Sequence, residues 1–248
     1  HNAADPAAAL VDIYVNNALL IPNFAFRAAT PFIDVPANAA LTVGVAPAGS
    51  KGPEDIIVTL PPVSLLGGKS YVAVAQGVLT DGFAANPNGL STAFTLLVNS
   101  MAQERPKWSR YVELTVLHGA TDAPAVDVYA NGKLQLVDNL AYGSFTPYVR
   151  VSPASYDLSI TPAGMPGTVV ATYVADLSGL RNTAMVVFAS GFLTPSANND
   201  GPAFGLFAAL PNGAVVQLPT KALVGGALTV DSASSSAMAP IAFELEQN

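Results

Sequence analysis

The residues with the clearest chemical potential are the two histidines of the chain, His1 and His118. A histidine that begins a chain can chelate copper through its amine and its ring, but such a site also needs a second imidazole nearby. The two histidines occupy equivalent positions in two similar stretches, so we do not expect them to meet in one metal site or catalytic pair. We expect each to lie at a strand end and to bond the local backbone through its ring nitrogens.

Four aspartates form two similar pairs, Asp5 with Asp12 and Asp122 with Asp127. Paired carboxylates perform general acid and base catalysis when they converge on one cleft with different pKa values. Here the pair recurs in both copies in a turn-then-strand context, and Asp5 and Asp122 precede a Pro-containing turn, where an aspartate ordinarily accepts hydrogen bonds from nearby backbone N–H groups. We therefore expect turn capping rather than catalysis. A calcium site, which also uses carboxylate oxygens, is the intermediate alternative.

Two polar loops offer further oxygen and amide groups. Their candidate ligands are Asp81, Asn86 and Asn88 in loop 81–89, and Asn198, Asn199 and Asp200 in loop 198–201. Such loops could bind a sugar or calcium, although solvation of an exposed loop is the commoner role. Calcium is the one cofactor that the sequence leaves open.

The sequence contains no recognisable catalytic constellation. The chain has no cysteine, no G-x-S-x-G elbow, no zinc-ligand spacing and no phosphate-binding glycine loop. Ser190 lies at a strand end in the second similar stretch, but Gln76 occupies the equivalent position in the first. We therefore predict that the protein is not an enzyme.

The elements that carry these residues are two copies of one unit. The stretch His118-Gly-Ala-Thr-Asp-Ala-Pro-Ala-Val-Asp-Val-Tyr-Ala-Asn-Gly132 has a looser counterpart that runs from His1 to Asn17. Short β-branched runs separated by Pro and Gly dominate both copies, and Asn131-Gly132 favours a tight hairpin turn. These patterns predict an all-β fold of two tandem antiparallel β-sandwiches, each with about seven short strands.

The run from His118 to Gly132, followed by Asp138-Asn-Leu-Ala-Tyr-Gly143, resembles the signature of the domain-of-unknown-function family numbered 4397. The resemblance is strong in the second copy and loose in the first, and it covers about residues 1–219. It implies tandem immunoglobulin-like β-sandwiches in a secreted or cell-surface protein of bacteria or archaea. It implies no particular activity.

The predicted boundaries follow the repeat. The first sandwich spans residues 1–99, a linker spans 100–110, the second sandwich spans 111–219, and a C-terminal extension spans 220–248. The linker contains Trp108, the only tryptophan. We expect this side chain to fill the space between the two sandwiches rather than to form an exposed ligand platform.

Composition and charge restrict the partners and the location. Charged residues make up 11% of the chain and the net charge is −7, which argues against nucleic acid as a partner. The mean hydropathy is +0.42, but prolines interrupt the uncharged runs, so we predict no membrane-spanning helix. We expect an extracellular or cell-surface protein whose signal peptide has been removed.

The two copies differ at their ends. A predicted strand, Tyr111-Val-Glu-Leu-Thr-Val-Leu117, precedes His118, whereas the given sequence has no counterpart before His1. A sandwich without that strand would leave unpaired backbone groups beside an open apolar groove. We place this groove beside Val11, Ile13 and Val15.

The C-terminal extension contains a segment that could fill the groove. Ile241, Phe243 and Leu245 alternate with alanine and glutamate, which is the pattern of a half-buried strand. This donor strand could insert into the next subunit, fold back within its own chain, or pair with the second copy in a trimmed sequence. Insertion into the next subunit would build a head-to-tail filament.

These observations favour a non-catalytic structural protein of the cell envelope or extracellular space that associates with itself. The alternative is a secreted module that binds a carbohydrate or another surface ligand through the two polar loops. A second cell-surface protein or a glycan is therefore a further candidate partner.

Overall fold

The structure of the chain is a computed structural model that describes residues 1–222. The predicted donor strand, with Ile241, Phe243 and Leu245, lies outside the described residues. The described residues form short β-strands and three single-turn 3-10 helices, Pro6–Ala8, Pro53–Asp55 and Pro195–Ala197. The prediction of an all-β fold is therefore confirmed.

The strands divide between the two halves of the chain. The first half contains β1 (Leu10–Val15), β2 (Ala18–Ala25), β3 (Ala40–Leu41), β4 (Val43–Pro47), β5 (Val58–Thr59), β6 (Val63–Ser64), β7 (Val72–Gln76) and β8 (Thr95–Asn99). The second half contains β9 (Val112–Leu117), β10 (Val126–Ala130), β11 (Leu134–Leu140), β12 (Val149–Val151), β13 (Ser155–Pro162), β14 (Ala171–Asp176), β15 (Thr183–Ser190), β16 (Gly205–Ala209) and β17 (Val215–Gln217).

The turn residues explain the first hairpin of each half. Asn131 and Gly132, between β10 and β11, have φ values of 51° and 68°. Asn16 and Asn17, between β1 and β2, have φ values of 50° and 65°. Left-handed conformations at both central residues are what a tight hairpin turn requires, and asparagine and glycine adopt them at low cost.

Two sheets pack face to face in the second half. One sheet has the order β11-β10-β13-β14, and the other has the order β12-β9-β15-β16-β17. Their inward-facing side chains form one buried core in which Leu114 and Val187 meet Val128 and Ile160. β9 runs antiparallel to β12 but parallel to β15. The second sheet is therefore mixed, because β9 pairs with a strand far away in sequence that no hairpin pattern reveals.

The first half repeats the first of these sheets. Its order is β2-β1-β4-β5, and β1 pairs with β4 from Val11 opposite Pro47, as β10 pairs with β13 from Val126 opposite Pro162. Its second sheet is much smaller. β7 and β8 form a two-stranded sheet, and β3 pairs only with β6. Within residues 1–222, no strand of the first half occupies the place that β9 holds in the second.

The two halves contact each other through corresponding faces. Gly77 and Gly191 follow β7 and β15 with similar φ values of 93° and 86°, which aligns the two strands. Val72, Val74 and Leu97 of the first half pack against a buried cluster of the second half, formed by Leu117, Val186, Phe188 and Phe207. Because Val186 and Phe188 are the counterparts of Val72 and Val74, like surfaces meet.

A pair of leucine substitutions tests how much a core-facing side chain of β9 contributes to the free energy of unfolding. Leu114 in β9 is 5% exposed within the core, and Leu134 in β11 is 57% exposed. We expect Leu114→Ala to lower the free energy of unfolding by about 2–5 kcal/mol, because it removes buried methyl groups and leaves a cavity. We expect Leu134→Ala to change it by less than about 0.5 kcal/mol. Urea unfolding followed by circular dichroism gives both values, and equal losses would contradict the described core.

Candidate functional site

A groove with a volume of about 870 Å³ lies beside β7. We call it the open groove. One wall is β7, and the opposite wall is the segment 28–35, which forms no strand. Ile21 and Phe24 of β2 line its inner side. The open groove therefore reaches between the two sheets of the first sandwich.

In the second half, the position that corresponds to the open groove is occupied by a strand. There, β9 lies between β12 and β15, with Leu114 opposite Val149 on one side and Met185 on the other. The sequence counterpart of β12 is residues 33–35 within the segment 28–35, and the counterpart of β15 is β7. Within residues 1–222, the open groove is therefore an unfilled strand position, bounded by the two elements that would pair with a strand placed there.

Backbone hydrogen bonds fix the register of this position. The nitrogen of His1 donates to the oxygen of Ala28 at 2.9 Å, as the nitrogen of His118 donates to the oxygen of Ser144 at 3.1 Å. The nitrogen of Asn2 then donates to the oxygen of Ala75 at 2.7 Å. A strand in the open groove would therefore end beside the backbone of His1, as β9 ends at Leu117.

Exposure of β7 shows that the core beneath it is incomplete. Ala73 is exposed, whereas its counterpart Val187 is buried between the sheets of the second sandwich. The edge of β7 that faces the open groove carries a single parallel bridge, between Gln76 and Asn2, within the described residues. Unpaired backbone donors and acceptors beside apolar side chains are a template for another strand.

The residues predicted to line the groove do not line it. β1 has β2 on one edge and β4 on the other, so Val11, Ile13 and Val15 have no open edge beside them. Val11 and Ile13 are already buried in the core of the first sandwich. The sequence of β1 indicates a strand, but it cannot show which sheet has the free edge. The groove opens in the other sheet.

Each of the four aspartates is engaged by backbone N–H groups. Asp127 accepts hydrogen bonds from the nitrogens of Asn139 at 2.7 Å and Gly164 at 3.0 Å. Asp12 accepts equivalent bonds from Asn23 at 2.7 Å and Ser50 at 2.9 Å. These two aspartates tie the irregular second strand of each hairpin to the turn that follows β4 or β13.

The other aspartate of each pair caps a loop. Asp5 accepts from the nitrogens of Leu79 and Thr80 at 2.8 and 2.9 Å. Asp122 accepts from the nitrogens of Leu193 and Thr194, both at 2.9 Å. These bonds use the carboxylate oxygens for structure, as the sequence pattern predicts.

The two histidines have the local contacts expected of strand-end residues. Nε2 of His1 lies 2.6 Å from the oxygen of Ala8, and Nε2 of His118 lies 2.9 Å from the oxygen of Pro124. Burial lowers the pKa of His118, which favours the neutral ring. Within residues 1–222, no group of three or more His, Asp or Glu side chains is placed to hold a metal ion.

His118, Asp122 and Asp127 lie within a segment that matches a known protein family. Residues 112–201 match a family model described as a domain of unknown function (DUF4397). This match confirms the resemblance for the second copy, from β9 to the loop that follows β15. A search of curated proteins finds no match. The described part of the chain also contains no helix long and apolar enough to cross a membrane.

The two polar loops lie between the sandwiches. The side-chain nitrogen of Asn86 donates to the backbone oxygens of Thr121 at 2.8 Å and Ala123 at 3.2 Å. Asn88 accepts from the nitrogen of Ala125, and Asn198 accepts from the nitrogen of Ala84.

The remaining members of the two loops lie close by. The side chain of Asn199 lies 3.5 Å from the backbone oxygen of Asp81, and Asp200 occupies the adjoining left-handed turn with a φ of 50°. The predicted ligand loops therefore join the two halves.

Trp108 does not fill the space between the halves, so that prediction is wrong. Its side chain is 58% exposed, and the guanidinium of Arg150 lies 5.1 Å from its ring centroid. The same guanidinium lies 4.9 Å from the ring centroid of Tyr111. The contact between the halves instead includes the stacked rings of Phe83 and Phe192, 5.4 Å apart. Sequence alone could not show which aromatic residues face the other half.

Acid titration tests the structural role of Asp12. Hydrogen bonds from the nitrogen of Asn23 and from the hydroxyl of Ser50 hold the pKa of Asp12 below its ordinary value of 3.8. A pKa lowered by folding gives stability that is present above the unfolded value and is lost as the pH falls through the folded value. We therefore expect the free energy of unfolding to fall below about pH 4, and to fall less steeply in Asp12→Asn.

Chemical unfolding at a series of pH values between about 2 and 6 measures this dependence. Asp138→Asn is the matched control, because the carboxylate of Asp138 is exposed and accepts from the side chain of Gln135. An acid dependence in Asp12→Asn equal to that of the parent protein would contradict the assignment.

Proposed function

We propose that this chain is a non-catalytic structural protein of the cell surface or extracellular space that assembles head to tail into filaments. In each contact, the C-terminal segment 238–248 of one copy fills the open groove of the next copy by β-strand addition. The observation that carries the proposal is the unfilled strand position between β7 and the segment 28–35.

The sequence of the segment suits the position. In β9, Val112 and Leu114 point into the core and Glu113 lies between them. The segment offers Phe243 and Leu245 with Glu244 between them. Side chains alternate between the two faces of a strand. In the groove, Phe243 and Leu245 would therefore point toward Ile21 and Phe24. Glu244 and Glu246 would point outward. Burial of each apolar side chain would contribute about 1.5–3 kcal/mol.

The exit of the chain favours a neighbouring copy as the acceptor. Lys221 donates its backbone nitrogen to the oxygen of Thr172 on β14, and its ammonium group pairs with Asp157 on β13. Both strands belong to the sheet of the second sandwich that does not face the first half. A tail that returns to its own groove must therefore pass around the second sandwich.

The location and the repeat belong to the same proposal. The low charged fraction and the resemblance to a secreted family support a location outside the cytoplasm. The matching order and register of β2-β1-β4-β5 and β11-β10-β13-β14 support the first half as a divergent copy of the matched family. Both copies would then share an immunoglobulin-like ancestor.

Deletion of residues 238–248 tests the assembly. We expect the full-length protein to form filaments that increase with concentration, and the deleted protein to stay monomeric, because the open groove then has no partner strand. Light scattering gives the size distribution and negative-stain electron microscopy gives the shape. Unchanged assembly after deletion would refute the proposal.

A mixing experiment identifies the source of the strand. The deleted protein keeps an open groove, so it should cap one end of a growing filament and shorten filaments at low molar ratios. If the tail folds back into its own chain, or if residues that precede His1 in a longer chain fill the groove, the deleted protein will not shorten filaments. Either result would contradict donation between copies.

Point substitutions test which face of the segment enters the groove. We expect Phe243→Ser/Leu245→Ser to abolish assembly, because it removes the two side chains that would be buried. Glu244→Ser/Glu246→Ser is the matched control, since it changes two outward positions of the same segment, and we expect it to assemble. Sedimentation of polymers measures both variants. Loss of assembly only in the glutamate variant would contradict the proposed orientation.

A further inference from the structure

The open groove has a wall that the first sandwich does not supply. Its lining includes Leu117, Ala184, Val186 and Phe188, all from β9 and β15 of the second sandwich. Leu117, Val186 and Phe188 are buried in the cluster that joins the two halves. The groove therefore has an inner side formed by β2 and an outer side formed by the second sandwich.

The counterpart strand shows the result of such a two-sided position. Both faces of β9 are buried: Val112 and Leu114 face the core, and Glu113 and Thr115 face outward with exposures of 4% and 0%. The carboxylate of Glu113 accepts from the nitrogen of Lys107 in the linker at 3.2 Å. A strand in the open groove would have Leu117, Val186 and Phe188 of the second sandwich on its outer face.

Arg27 holds the second sandwich in place. Its guanidinium donates to the backbone oxygen of Ala203 at 2.7 Å and to the hydroxyl and the backbone oxygen of Ser190 at 3.1 and 3.2 Å. It also lies 4.3 Å from the ring centroid of Phe207. Burial lowers the pKa of Arg27 to about 10, so the group stays charged at neutral pH. Asn86 adds the two hydrogen bonds described above.

Counterpart residues of the two halves differ in size, and these differences favour contact between the first and second halves over contact between two identical halves. Arg27 meets Ser190, whereas Gly143, the counterpart of Arg27, lies beside the side chain of Gln76, the counterpart of Ser190. A side chain at Gly119 would collide with the amide of Asn2, its own counterpart. At each pair of positions one residue is large and the other small, so each half fits the other better than a second copy of itself.

We infer that the acceptor site for the strand is shared by both sandwiches, and that Arg27 and Asn86 are positioning residues for strand binding. The partner that fits is an extended segment with Phe243 and Leu245 against Ile21 and Phe24, and with its glutamates toward the outer side, where the lining also includes Lys69, Ser70 and Gln103. This inference rests on the proposed function. Undocking of the second sandwich would remove the outer wall without changing any residue of the inner one.

A peptide-binding measurement tests the inference. The acceptor is the full-length Phe243→Ser/Leu245→Ser protein, whose own tail does not compete, and the probe is a fluorescent peptide with the sequence of residues 238–248. Fluorescence anisotropy gives the dissociation constant. We expect Arg27→Asn to weaken binding by about tenfold or more, because the apparent affinity falls with the fraction of molecules that are docked.

The choice of variants separates docking from folding. Asparagine at position 27 tolerates the left-handed conformation of Arg27, whose φ is 63°. Asn86→Ala breaks the contact at a distant loop that does not line the groove, and it should weaken binding in the same way. Arg150→Ala is the matched control, because its guanidinium stacks on Trp108 and Tyr111 within the second half. Its affinity should equal that of the parent.

The outcomes distinguish the two proposals. If the parent acceptor does not bind the peptide, the proposed function fails. If the parent binds and both Arg27→Asn and Asn86→Ala bind equally well, the shared site is refuted while the proposed function stands. Thermal unfolding of each variant identifies any that does not fold, in which case the affinity of the other variant decides between these outcomes. Weaker binding in a folded variant, with Arg150→Ala unchanged, supports the shared site.

Discussion

A β-strand carries donors and acceptors on both of its edges, and the rest of this structure depends on how those edges are satisfied. In the second sandwich, β9 satisfies β12 and β15 together and supplies Val112 and Leu114 to the core. In the first sandwich, the same two edges face a groove. The groove, the exposed Ala73 and the smallness of the β7–β8 sheet are three consequences of one strand position that residues 1–222 leave unfilled.

The contact between the halves restricts access to this strand position. A free strand edge on an isolated sandwich would accept any extended apolar segment. Here the second sandwich covers the outer side, and Arg27 and the asparagine loops hold it there. The edge is therefore a slot rather than an open surface. In the proposed assembly, such a slot would accept only a segment of suitable length and side-chain alternation, which would limit unspecific aggregation.

The fold class, the hairpins and the role of the aspartates could be predicted from the sequence because those features depend on local patterns. Asn131-Gly132 needs only its own turn, and Asp127 needs only the backbone of neighbouring strands. The position of the groove depends on which strands lie at sheet edges, and the parallel pairing of β9 with β15 has no local signal. The pattern therefore cannot show which sheet edge borders the groove, and it assigns Trp108 to the wrong contact. The sequence offers two clues to the groove: the strand before His118 has no counterpart before His1, and Ala73 stands where the second half has Val187.

Three aspartates, Asp5, Asp12 and Asp127, are buried, and each is held by backbone N–H groups rather than by a cation. The one ion pair found among residues 1–222, between Lys221 and Asp157, is exposed. Dissolved salt weakens exposed ion pairs strongly but reaches buried carboxylates very little. We therefore expect the free energy of unfolding to depend little on the salt concentration. In the proposed location outside the cell, where no transport system regulates the surrounding ions, this low salt dependence would help to keep the protein folded.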